Sequence, residues 1–194
     1  MADVVHGYKP IFPIPLGLAS SFDPELVEKT AKIAAKESAN AGLHAVFAPM
    51  VDLVRDPRWG RVMEANGEDP FLNGSLAAAS VKGFQGYGTT GELDRNHVAA
   101  CVKHFAAYGA AEGGREYNTV DISEWQFRDQ YLEGYQKAIE TGARLVMTSF
   151  NTLFGVPATA NQKLMRSILR DELGFDGVLI SDWNAIGELR EHGV

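Results

Sequence analysis

With 194 residues, 45% of them hydrophobic and 22% charged, the chain has an ordinary globular composition and enough length for one sizeable core. A net charge of −7 with no basic cluster argues against a nucleic-acid or anionic-membrane partner, and no apolar run approaches the ~20 residues of a membrane span. The single cysteine, Cys101, excludes an intrachain disulfide and any multi-cysteine metal site.

After an irregular Pro-rich opening (Pro10, Pro13, Pro15), Asp23-Pro24 reads as the cap and first turn of a helix running to Asn40-Ala41-Gly42. His44 to Ala48 reads as a strand, followed by a loop containing Arg55-Asp56-Pro57-Arg58-Trp59-Gly60-Arg61. Glu68-Asp69-Pro70 opens a second helix ending near Gly83, and the Gly- and charge-rich stretch 86–96 reads as a surface loop. Val98 to Val102 forms a strand that delivers Lys103-His104, and a long Gly-rich loop over 108–121 follows. Ile122-Ser123 starts a third helix, Glu124 to about Glu140, closed by Gly142. Arg144-Leu145-Val146 leads into Met147-Thr148-Ser149-Phe150-Asn151, then a loop over 152–160 and a helix over 162–173. Gly177 to Ile180 reads as a strand covered on both faces that runs straight into Ser181-Asp182-Trp183, and a last helix begins over 184–192.

Strands alternating with helices predict right-handed βαβ units around a parallel sheet. The expected fold class is α/β: a partial TIM (β/α)8 barrel with about half to two-thirds of the barrel present, against the roughly 250 residues of a complete one. Four strands are legible, and a fifth is expected to precede Asp3, with Met1-Ala2-Asp3 reading as a start set inside a domain. The chain therefore reads as one incomplete barrel domain over 1–194, with two open sheet edges. Such a chain is expected to be part of a longer protein or to pair with a second copy through those edges.

The polar groups gather at the carboxyl ends of the strands, the face where barrel active sites are built. Asp182 can serve as a nucleophile on an electrophilic carbon, or more plainly cap the helix that follows. Trp183 beside it suits stacking on a sugar ring. Lys103 and His104 offer donors for hydroxyl groups, and both reach one ligand only where the strand ends, since neighbours on a strand point to opposite faces. Arg58, Arg61, Glu64, Glu68 and Asp69 form either a solvated charged loop or a clamp in which arginine bridges vicinal hydroxyls. Asp3, before Val4-Val5-His6-Gly7, is unremarkable alone, and the loop Gly113-Gly114-Arg115-Glu116-Tyr117 is long for a barrel connection. No metal motif and no phosphate- or dinucleotide-binding glycine loop is present in the sequence, so neither a metal nor a cofactor is expected.

Taken together, Asp3-Val4-Val5-His6-Gly7, the Arg55 to Arg61 run, Gly67-Glu68-Asp69-Pro70, Lys103-His104-Phe105, the run from Asn151 to Asn161 and Ser181-Asp182-Trp183 resemble glycoside hydrolase family 3. The pattern is nearest to its bacterial periplasmic-type β-glucosidases and spans the chain in the family's order. The resemblance implies a retaining, exo-acting β-glycosidase with Asp182 as nucleophile. It implies that Asp3, Arg61, Lys103 and His104 hold the terminal sugar, that Met147 and Phe150 line the pocket, and that Trp183 adds an aromatic wall. Some members carry Tyr where this chain has Phe150, so that hydroxyl contact is lost here. The loop Ala106 to Glu112 lacks the His of the N-acetylglucosaminide-cleaving subgroup.

The resemblance also places the acid/base Glu in a carboxy-terminal domain beyond residue 194. Glu188 and Glu191 lie along the helix after Asp182 rather than across the pocket, and neither is assigned the role. The implied partners are an oligosaccharide or an aryl or alkyl β-glucoside and the missing domain. The implied compartment is periplasmic or secreted, with cytoplasmic as the alternative. Two rival readings remain at this stage: a Schiff-base lyase using Lys103, and an inactive, self-associating half-barrel.

Overall fold

The computed structural model describes residues 1–86 and 92–191. Part of the expected surface loop over 86–96, and His192 at the end of the expected last helix, lie outside the described residues.

The strands are β1 (Ala45–Val46), β2 (Ala99–Phe105), β3 (Leu145–Thr148), β4 (Thr152–Leu153), β5 (Val156–Pro157) and β6 (Val178–Ile180). Four of them form an all-parallel sheet in the order β1-β2-β3-β6, with Ala45 opposite Ala99, Cys101 opposite Leu145 and Leu145 opposite Val178. Ala2 adds a parallel bridge to Val46, so the segment leading to Asp3 lies beside β1 in the position of a further strand. The fold is the expected α/β barrel portion, and the barrel is not closed.

Every residue of β2 and β3 is buried, as uninterrupted apolar runs between two covered faces require. β6 departs from the expectation of a strand covered on both faces: Val178 is 57% exposed. β6 is the outer strand of the open sheet, so β3 covers one side of it and nothing pairs with the other.

The helices are α1 (Pro15–Ala19), α2 (Pro24–Asn40), α3 (Pro70–Gln85), α4 (Glu124–Gln126), α5 (Glu133–Glu140) and α6 (Ala185–Glu188). Asp23 and Asp69 cap α2 and α3, accepting the Leu26 and Leu72 amides at 3.1 and 2.7 Å, each followed by proline in the first turn. The expected helix over Glu124 to Glu140 is interrupted by a π-helical segment, Phe127–Tyr131, and the expected helix over 162–173 is a π-helix, Lys163–Glu172. In both, the closing amide reaches back five residues, Leu132 to Phe127 and Leu173 to Ile168. A widened turn keeps a broad apolar stripe on one side, so the periodicity reports a helix without reporting its pitch.

The expected loop over 152–160 contains a hairpin, β4 and β5 in antiparallel register, turned by Phe154 and Gly155 at φ 57° and 76°. Two consecutive positive φ values are the signature of a type I′ turn, usually announced by Asn-Gly, and Phe-Gly conceals it. α1 was likewise hidden inside the Pro-rich opening.

α2 and α3 pack closely where Gly83 meets α2. A Cβ at Gly83 would lie 2.5 Å from the Glu28 carbonyl oxygen and 2.6 Å from the Ala31 side chain. Gly83→Ala is therefore expected to destabilise the fold by about 1–3 kcal/mol, although alanine is the better helix former, and urea unfolding measures it. Cys101 is fully buried in β2, and burial pushes its thiol up to about 12, the state of an inert core residue.

Candidate active site

The carboxyl ends of the parallel strands carry the polar groups. Asp3 follows the Ala2 bridge, Lys103 and His104 lie in the last turn of β2, Met147 lies in β3, and Asp182 stands two residues beyond β6. Strict alternation along β2 would send Lys103 and His104 to opposite faces. The register between β2 and β3 shifts between Val102 and Phe105, and both side chains face one cleft. That cleft, about 430 Å³, is lined by Asp3, Arg61, Lys103, His104, Met147, Asp182 and Trp183 together. All the residues singled out as a site thus share one surface depression. Phe150 does not line it: its ring packs at 4.7 Å from Tyr117 and 6.0 Å from Tyr108 in the neighbouring aromatic cluster.

The Lys103 ammonium is buried, donates to Asp3 Oδ1 at 2.8 Å and lies 3.9 Å from Glu64 Oε2. Arg61 donates twice to Glu64, at 2.8 and 3.0 Å, and its Nη1 sits 3.2 Å from His104 Nε2. Burial alone would lower the Arg61 guanidinium, and the Glu64 carboxylate outweighs it and holds the guanidinium raised. Burial alone would likewise raise Glu64, but the bonds from Arg61 hold it below the ordinary 4.5. A carboxyl lowered in the folded state contributes stability above its unfolded pKa and loses it as the pH falls through the folded value. The stability advantage of the natural chain over Glu64→Gln is therefore expected to be constant at neutral pH. It should shrink as the pH falls below 4.5, as acid-dependent thermal melting reads directly.

Asp182 does not cap α6. Its Oδ1 accepts the Trp183 amide at 2.6 Å, while Asn184, at φ 55°, holds the N-cap position without a side-chain bond. Asp182 Oδ2 is buried with no hydrogen-bond partner and lies 3.4 Å from His104 Nε2. Trp183 is 88% exposed on the rim. Other members of the charged loop took the plainer role: Arg58 pairs with Asp56 in solvent, and Asp69 caps α3.

Sequence reasoning missed a buried layer beneath His104. Asp52, 1% exposed, accepts the His104 amide at 3.0 Å and its Nδ1 at 2.8 Å through one oxygen. The Tyr135 hydroxyl reaches the other oxygen at 2.9 Å and the His104 carbonyl at 2.5 Å. Burial, and then Asp52, hold the Tyr135 phenol well above its usual value. Asp52 lies in an irregular stretch with no periodicity, and its partners are 52 and 83 residues away, so only the fold reveals it. Tyr108 was missed too: its ring stands edge-on to His104 at 5.2 Å, Arg61 lies over it, and its hydroxyl bonds Glu116, tying the long loop over 108–121 to the site. Among the described residues, no group of three or more His, Cys, Asp and Glu side chains is placed to hold a metal ion.

The fold and the cleft define an α/β-barrel portion with a carboxylate set among cationic donors at the strand ends. The glycosyl hydrolase family 3 N-terminal domain matches residues 1–194, and the chain belongs to that family as its amino-terminal domain. A periplasmic β-glucosidase of Salmonella typhimurium is 48% identical over 191 residues, which is 98% of this chain and 25% of that protein. A β-xylosidase of Formosa agariphila is 38% identical over 186 residues, 95% of this chain and 26% of that protein. The solved structure of a β-glucosidase from Listeria innocua in complex with gluconolactone superposes with a TM-score of 0.98 at 57% identity, covering 100% of this chain and 27% of the other. The chain spans about a quarter of the length of the relatives it matches.

Proposed function

We propose that residues 1–194, a single incomplete barrel domain, carry the sugar-holding and nucleophile-bearing part of a retaining, exo-acting β-glycosidase that releases terminal non-reducing β-D-glucosyl residues. The observation that carries this reading is the state of Asp182. One carboxylate oxygen is anchored by the Trp183 amide, and the other is buried beside the cleft without a donor, ringed by His104 and Arg61.

Asp182 Oδ2 attacks the anomeric carbon, the bond to the departing oxygen breaks as an acid protonates it, and water then displaces Asp182 from the sugar. Two inversions restore the β configuration. Asp3, Lys103, Arg61 and His104 supply the hydroxyl contacts, while Met147 and Trp183 supply apolar and aromatic wall. Retention needs a second carboxyl about 5 Å from the first. Glu188 and Glu191 do not line the cleft, and Asp3, Glu64 and Asp52 are engaged by Lys103, Arg61 and His104. The acid/base is accordingly assigned to residues beyond 194, in keeping with the relatives' greater length.

Lys103, ion-paired to Asp3, is placed as a donor rather than as the free amine of a Schiff-base enzyme. Glucosides are the preferred substrates, since relatives at 48% and 57% identity are β-glucosidases, with xylosides as the competing class from the β-xylosidase relative. A periplasmic or secreted site of action is in line with the Salmonella relative's name. Among the described residues, no helix is long and apolar enough to cross a membrane.

The test is proton NMR of the first product formed from an aryl β-glucoside by the chain extended to its relatives' length. The β-anomer is expected first, and the α-anomer first contradicts the reading. The 194-residue chain alone is expected to show little or no turnover.

A further inference from the structure

The geometry points to Asp52 as a positioning residue that fixes His104 in the form protonated on Nδ1, keeping its Nε2 bare so that Asp182 Oδ2 meets no proton donor. The inference rests on the reading of Asp182 as nucleophile and adds what keeps that nucleophile free. Neutral imidazole carries one proton, and the partner of each nitrogen decides where it sits. Nδ1 faces the Asp52 carboxylate, which can only accept. Nε2 faces Arg61 Nη1, which can only donate, at 3.2 Å. A proton on Nε2 would point at a guanidinium proton, so both neighbours select the same tautomer.

The consequence falls on Asp182. Its Oδ2 lies 3.4 Å from Nε2 and has no other donor. Were the proton on Nε2, that oxygen would become a charge-assisted acceptor, and its lone pair would have to be released before attacking carbon. Asp52 is itself held: the Tyr135 hydroxyl lies on its second oxygen, the His104 amide shares the first, and both carboxylate oxygens are thereby oriented. The Tyr135 ring is locked edge-on against Phe105 at 5.0 Å. Outer partners of this kind orient a site imidazole without touching the ligand.

The test uses the chain extended to its relatives' length and an activated fluorosugar, 2,4-dinitrophenyl 2-deoxy-2-fluoro-β-D-glucoside, whose leaving group needs no acid. The rate of sugar attachment to Asp182 is read by mass spectrometry. Asp52→Ala is expected to slow attachment about 10–100-fold. Asp52→Asn is expected to stay within about threefold of the natural enzyme, because its amide oxygen still accepts both His104 N–H groups while its amide nitrogen donates to Tyr135. Tyr135→Phe, which keeps the ring packing, is expected to fall between the two.

Wild-type attachment in folded Asp52→Ala overturns the proposal, as does an Asp52→Asn rate as low as that of Asp52→Ala. If Asp52→Ala fails to fold, Tyr135→Phe reacting at the wild-type rate overturns it instead. Should the natural enzyme take no sugar on Asp182, the nucleophile reading fails separately. Nitrogen-15 NMR of the His104 ring then still decides the tautomer: a bare Nε2 supports the positioning role and a protonated Nε2 refutes it.

Discussion

Replacing Asp182 with glycine in the full-length enzyme is expected to lower kcat for an aryl β-glucoside by roughly 100,000-fold, the order seen when a covalent nucleophile is deleted, and to leave the fold standing. The structural cost is small because the carboxylate's only hydrogen bond is to its own neighbour, the Trp183 amide. His104 remains fixed by Asp52, and Arg61 by Glu64. Azide should then restore part of the rate by entering the space the carboxylate leaves, and the product should be the α-glucosyl azide, since a single displacement inverts the anomeric centre. Chromatography of the azide product separates a lost nucleophile from a lost fold. Rescue without inversion, or activity within tenfold of the natural enzyme, removes Asp182 from the reaction.

The second large effect is expected at Lys103. Lys103→Met keeps the length of the side chain and removes the ammonium that donates to Asp3 and lies near Glu64. A fall in kcat/KM of about 100-fold, near 2.7 kcal/mol, is expected because a buried donor to sugar hydroxyls tightens as the ring flattens toward the transition state. Stability should not fall with it. Asp3 is 65% exposed and water replaces its partner, Glu64 keeps both bonds from Arg61, and an apolar side chain suits a position 3% exposed better than an ammonium does. Thermal melting alongside steady-state kinetics distinguishes the two. A melting temperature that drops in step with activity marks Lys103 as a structural residue instead.

The features visible in the sequence were those with short-range signals. β2 and β3 are buried on both faces, so their runs are apolar without alternation, and a charged residue ending such a run stands out at Lys103, His104 and Asp182. Asp-Pro at the starts of α2 and α3 marked both boundaries to the residue. Asp52 and Tyr135 escaped because their roles exist only across 52 and 83 residues of chain, and nothing local separates a buried carboxylate from a loop carboxylate. The Phe154-Gly155 hairpin escaped because its turn places a bulky residue at positive φ. The covered character expected of β6 failed for a different reason: its apolar residues describe a strand with two neighbours, and the described sheet provides one.

The central claim is that a donor-free carboxylate oxygen at the end of β6 forms a bond to sugar carbon. Digestion and tandem mass spectrometry of the full-length enzyme after reaction with an activated 2-fluoro-glucoside test it most directly. The account predicts one fluoroglucosyl group, carried by Asp182. A label on Lys103 or on a different carboxylate, or steady turnover of glucosides with no labelled peptide, contradicts it.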